Sequence, residues 1–249
     1  MRLSWALLPL LGSAFAAPLL EHVTAAQTVS FVERDGTQQF TEAQKATVRR
    51  AASHLPTFFH QILETSSEDT LFKRYFGGSS KKPATRRAQR VKGVVRDIVQ
   101  TLFGGDVKRT KNIDRQGTGI IYLPGGTAAE CGKAGVAAYA ARTYKTIVLC
   151  DLFFQQPPIG HYKNQDVNPR KIKRTQTFTL FHEIMHLSDY EGLDHKRITD
   201  LQYGSEHCHN IRHDKGDKSP LYNADSYTWL ANDRVWNSWG HHLGFNGGT

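Results

Sequence analysis

The stretch Phe178-Thr179-Leu180-Phe181-His182-Glu183-Ile184-Met185-His186-Leu187 decides how this chain is read. The pattern from Thr175 to about Ser188 is helical, so His182 and His186 project from one face about one turn apart. Two imidazoles so spaced can hold one zinc ion. Glu183 is rotated from that row by roughly 100°, which sets its carboxylate beside the metal, where it can take a proton from a water that zinc makes acidic. Phe178, Leu180, Phe181, Ile184, Met185 and Leu187 surround the turn with apolar side chains, as a buried helix needs and a pair of surface histidines does not. A catalytic site of this kind requires a third protein ligand. Asp189 and Gly192 stand where the extended pattern H-E-x-x-H-x-x-G-x-x-H demands glycine and histidine, which excludes that pattern. The candidates for the third ligand are Asp189, Asp194, His195, Asp200 and Glu206.

Working outward toward the N-terminus, residues 27–34 alternate weakly as a strand, and Thr41-Glu42-Ala43-Gln44 is a capping box that starts a helix toward His54. Pro56 forces a kink or restart there, with Phe58, Phe59, Ile62 and Leu63 on the next segment. Ser67 is read as the cap of a short helix ending at Phe76, and Gly77 to Pro83 as a linker. Val91, Val94, Val95, Ile98, Val99, Leu102 and Phe103 mark one face of an amphipathic helix with basic residues opposite. Gly119–Leu123 and Thr146–Cys150 read as strands, residues 155–170 as a loop, and Asn223 as the cap of a last helix through Trp239. Helices, then a small sheet, then helices make an α+β domain, mostly helical with a small mixed sheet.

The chain has 249 residues, 39% of them hydrophobic, enough for one well-cored domain. Met1-Arg2-Leu3, the apolar run from Trp5 to Leu11 and Ala14-Phe15-Ala16 form the pattern of a secretory signal peptide over residues 1–16. No later run is apolar for the ~20 residues that a membrane span needs. The expected mature chain is therefore 17–249, soluble and extracellular, with 17–83 as a helical N-terminal arm or subdomain. Secretion permits disulfides, and Cys131 with Cys150 is the favoured pair among the three cysteines, with Cys208 as the alternative partner. A net charge of +9 suits acidic surfaces or substrates. The Lys/Arg residues lack interleaved aromatics, so no stable nucleic-acid partner is expected.

Two further blocks follow the central motif in order. Thr199-Asp200-Leu201-Gln202-Tyr203-Gly204 resembles the T-x-D-x-x-Y-G region of the aspzincins, the deuterolysin and peptidyl-Lys metalloendopeptidase group, and Asn223-Ala224-Asp225-Ser226 resembles their N-A-D-S block. The resemblance spans roughly residues 175 to 231. It implies a zincin-like fold with one zinc per chain, His182, His186 and Asp200 as ligands, Glu183 as general base and Tyr203 as the donor that steadies the developing oxyanion. In lysine-selective members an acidic pair on the later helix binds a substrate lysine. Asp225 matches the first acid and is the expected substrate-binding residue, but Thr228 stands where the second would be, so strict lysine specificity is not expected. The sequence departs from compact members in the longer stretch between His186 and Asp200, where Asp189–Arg197 must loop out. The expected function is a secreted, monomeric zinc endopeptidase acting on proteins or peptides, away from membranes. Its rivals are a secreted binding protein of zincin fold acting through its basic surface, and a metal-sequestering protein using His207-Cys208-His209, His213 and His241-His242.

Overall fold

The computed structural model describes residues 29–31, 39–77, 84–102, 120–125, 129–163, 174–194 and 196–241. The predicted signal peptide, most of the Gly77–Pro83 linker, Phe103 and the loop beyond residue 163 lie outside them. Along the chain come β1 (Val29–Phe31), α1 (Glu42–Ala52), α2 (Leu55–Leu63), α3 (Thr70–Phe76), α4 (Ala84–Leu102), β2 (Ile120–Pro124), β3 (Ala138–Ala141), β4 (Thr146–Leu149), α5 (Asp151–Gln155), α6 (Gln176–Met185), α7 (Ser205–Lys215) and α8 (Ala224–Ser238).

Local chemistry accounts for most of these boundaries. Thr41 Oγ1 accepts from Gln44 N while Gln44 Oε1 accepts from Thr41 N, so the capping box is formed as read. Pro56 stands in the first turn of α2, where its missing N–H costs nothing, and the chain restarts there rather than kinking. The cap of α3 is Asp69 rather than Ser67: its Oδ1 accepts from Leu71 N and Phe72 N, and a carboxylate at a helix N-terminus also meets the positive end of the dipole. Asn223 holds the N-cap position of α8 but spends its side chain elsewhere, as described below. Residues 155–170 are not all loop: a short 3₁₀ turn covers Ile159–Tyr162.

Among the described residues the strands form one sheet in the order β1-β2-β4-β3. β1, β2 and β4 run parallel, with Ile121 opposite Thr146, and β3 pairs antiparallel with β4, with Ala138 opposite Leu149. The sheet is mixed, and β3 is its edge next to α6. The bond between Cys131 and Cys150 ties the segment before β3 to the end of β4, the favoured pairing, while Cys208 is free and buried. No described helix is long and apolar enough to cross a membrane.

Every residue of α6 is buried. Phe181 meets Phe58 and Phe59 of α2 at ring-centroid distances of 5.2 Å each, Phe178 meets Trp229 of α8 at 4.8 Å, and Thr177 Oγ1 donates to Ala51 O of α1. Removing a fully buried Phe such as Phe181 costs about 3–5 kcal/mol in typical cores. This helix is thus fixed on all sides, and a fixed helix can present side chains in one geometry.

Candidate metal centre

α6 ends where chemistry begins. His182 lies in its last turn and His186 is its C-terminal cap residue. Their Nε2 atoms stand 3.3 Å apart. The third corner is Asp200, whose Oδ1 is 3.0 Å from His182 Nε2 and 3.2 Å from His186 Nε2. Among the described residues this is the group of His, Cys, Asp and Glu able to hold a metal ion. Tetrahedral zinc with nitrogen and oxygen donors at about 2.0–2.1 Å separates neighbouring donors by roughly 3.3–3.4 Å, so the triangle has the size that such an ion takes. The other third-ligand candidates are engaged elsewhere: Asp194 pairs with Lys218 at 2.8 Å, Asp189 stands 3.7 Å from Lys145, and Glu206 is exposed on α7. His195 lies outside the described residues.

Both imidazoles are held from behind, which fixes which nitrogen faces the centre. His186 Nδ1 is 3.1 Å from Ile198 O, and His182 Nδ1 is 2.6 Å from Asp225 Oδ1, two buried atoms with no other partner. Burial opposes protonation of His182, but Asp200 and Asp225 outweigh it and lift its pKa to about 10. Burial likewise works against the charge on Asp200, yet the two imidazoles hold its carboxyl well below the usual range. Such a strongly polarised set of two imidazoles and a carboxylate is what a divalent cation replaces protons in.

The loop that carries Asp200 is fastened to the start of α8. Thr199 N donates to Tyr222 O at 2.8 Å and Ala224 N to Thr199 O at 3.0 Å, a single parallel bridge. Asn223 Oδ1 accepts from Leu201 N and Gln202 N at 3.0 Å each, and Asp225 Oδ2 accepts from Gly204 N at 2.7 Å. Gly204 has φ of +90°, a conformation that side-chain-bearing residues avoid, so glycine is what lets the loop turn its N–H toward Asp225. The two sequence blocks are therefore two halves of one clamp.

Glu183 is buried and lines the cleft beside the triangle. Burial pushes its carboxyl pKa up, against the pull of both imidazoles, and the Ala140 backbone N–H on β3 donates to it. Tyr203 is half exposed, its ring stacked on that of His182 at 6.0 Å, and burial together with the nearby Asp200 raises its phenol pKa. The cleft has a volume of about 710 Å³ and is walled by β3, residues 134–137 and Arg142 opposite Arg174 and Tyr203.

Asp225 departs from its expected place. It is fully buried, is not part of the cleft wall, and divides its carboxylate among His182, Gly204 and Arg174, whose Nη2 is 3.0 Å away. Thr228 is buried too, donating to Ala224 O within its own helix. The sequence reading missed Arg174, which reaches Asp225 from a position 51 residues distant, and it missed β3.

A mostly helical fold with a small sheet, a His-Glu-His helix and a third carboxylate from a following loop defines a metallopeptidase-like architecture. Residues 61–232 match the family described as aspzincin, lysine-specific metallo-endopeptidase, and the chain belongs to it. The match extends well upstream of the blocks on which the resemblance rested. A zinc peptidase from Grifola frondosa has a similar fold, with a TM-score of 0.50 and 18% identity over 79% of this chain and 98% of its own. No curated protein matches the sequence.

Proposed function

We propose that this chain is a secreted zinc endopeptidase, with His182, His186 and Asp200 as the ligands of one zinc ion and Glu183 as general base. The observation that carries the reading is the triangle of donor atoms 3.0–3.3 Å apart at the floor of an open cleft, with a buried carboxylate beside it. Membership of a metalloendopeptidase family supports it. When bound, zinc supplies the Lewis acidity that polarises a peptide carbonyl and makes water nucleophilic near neutral pH. Glu183 takes the proton from the attacking water and delivers it to the leaving amide nitrogen. Its raised proton affinity, a consequence of burial, suits both halves of that transfer.

Tyr203 stands over the His182 ring with its hydroxyl end near Asp200 and donates to the oxyanion as negative charge develops there. β3 is the sheet edge and lines the cleft, so an extended peptide can add to it as a further strand, main chain to main chain. Asp225 acts as a positioning residue: it orients His182 and holds the Gly204 turn rather than touching substrate.

The test is hydrolysis of a peptide library by the secreted, purified chain, with and without chelator, beside Glu183→Gln and a zinc count. One zinc per chain, with cleavage lost to chelator and reduced about 10²–10⁴-fold in the Gln variant, is expected. Zinc binding without cleavage of any peptide would favour a binding protein of the same fold.

A further inference from the structure

Arg174 lies just ahead of Thr175, the N-cap of α6, and forms part of the cleft wall. Its Nη2 is 3.0 Å from Asp225 Oδ2, its Cζ sits 5.2 Å from the Tyr203 ring centroid and 5.5 Å from that of Phe178, and 37% of its side chain is open. The guanidinium is thus held from below by a buried carboxylate and gripped between two rings, with its remaining surface turned to the cleft. Asp225 itself cannot meet a substrate, because it is fully buried beneath Arg174. The anionic group of this flank has been covered by a resident cation.

The rest of the cleft does not restore negative charge for a substrate to find. Arg142 is a second cation on the wall, its Nη2 donating to Ile198 O. Glu130, the acid at the rim, is ion-paired with Lys133 at 2.6 Å. The remaining acids of the wall, Glu183 and Asp200, belong to the metal centre already described.

We propose that Arg174 is a specificity-determining residue that selects a carboxylate-bearing side chain, aspartate or glutamate, next to the scissile bond and rejects lysine there. This rests on the peptidase reading and names its substrate class. Arginine presents several N–H donors in a rigid plane, so one nitrogen engaged by Asp225 leaves others for a substrate carboxylate. A substrate lysine would meet a fixed like charge at close range and would leave its own ammonium without an acceptor. Arg174 stands one carboxylate away from His182, which puts it within reach of a side chain adjacent to a carbonyl bound at the centre.

The experiment uses the zinc-loaded chain and a set of otherwise identical peptides with Glu, Ala or Lys on either side of the cleaved bond. Two readouts are taken: kcat/KM for cleavage by the wild type, and affinity of each peptide for Glu183→Gln by fluorescence anisotropy. Glu peptides should be cleaved and bound at least about tenfold better than Lys peptides at one of the two positions. In Arg174→Ala the exposed Asp225 should invert the order to favour Lys. Arg174→Lys, which keeps the charge but loses the planar fork, should keep the order with a smaller ratio. Lys peptides favoured by the wild type, or a Glu/Lys ratio unchanged in both variants, would overturn the inference while leaving the peptidase reading intact. Arg174-dependent binding of Glu peptides without any cleavage would support the inference and remove the peptidase reading.

Discussion

Asp233 on α8 is buried in the core, where Tyr75 Oη of α3 donates to its Oδ2. Burial raises its carboxyl pKa, and the bond from Tyr75, the Arg74 charge and Asn232 do not restore it, leaving it at about 7 against 3.8 for an unburied aspartate. The sign follows from counting protons. Between those two values the unfolded chain has lost the proton and the folded chain keeps it, so the folded state binds more protons and its stability falls as pH rises. The slope is about 1.4 kcal/mol per pH unit, or roughly 4 kcal/mol across the window. The contribution is full below about pH 4 and gone above about pH 7. Asp233→Asn cannot titrate, so urea unfolding of wild type and variant from pH 4 to 8 should give a stability difference that shifts toward the variant by roughly 4 kcal/mol between pH 4 and 7 and is flat beyond. Taking the difference cancels the carboxylates with lowered pKa values, including Asp200 and Asp225, whose stabilisation instead appears as pH rises through the acid range. A difference independent of pH would refute the reasoning.

Three further outcomes concern the proposed metal centre. Asp225→Asn leaves His182 without its charged support and should weaken zinc binding about 10–100-fold in competition with a chelator, while Asp200→Asn, which removes a donor, should weaken it further. If Tyr203 acts as proposed on developing charge, Tyr203→Phe should lower kcat about 10²-fold or more with zinc content unchanged, and an unchanged kcat would exclude the role.

The helix that carries His182 and His186 was legible because its signal is local: histidines four apart on an apolar ground demand one geometry. Asp200 could not be singled out by spacing, since five candidates satisfied the chemistry and it is the fastening of residues 199–204 to the start of α8 that brings Asp200 to the histidines. Thr41 announced itself through a partner three residues away, whereas Ser67 was read as the cap of α3 and the carboxylate of Asp69, two residues on, holds that place. β3 escaped notice because Ala138-Tyr139-Ala140-Ala141 has no β-branched residue, its strand state coming from pairing with β4. α7 escaped because few of its side chains are buried, Cys208 and Ile211 among them, so it has no apolar stripe to read. The burial of Asp225 was not legible for a related reason: its carboxylate is covered by Arg174, 51 positions earlier, and nothing in the local sequence joins the two.

The clamp between residues 199–204 and the start of α8 ties the donor set to the completeness of the chain. The two histidines come from a helix packed against both the N-terminal helices and α8, and the carboxylate that closes the triangle is held by Asn223 and by the turn on Asp225. A nascent or truncated chain ending before Asn223 carries the imidazole pair without the anchor of its third donor. Assembly of the centre therefore reports that the last described helix has docked, and a half-made copy of this chain cannot present the finished site to its surroundings.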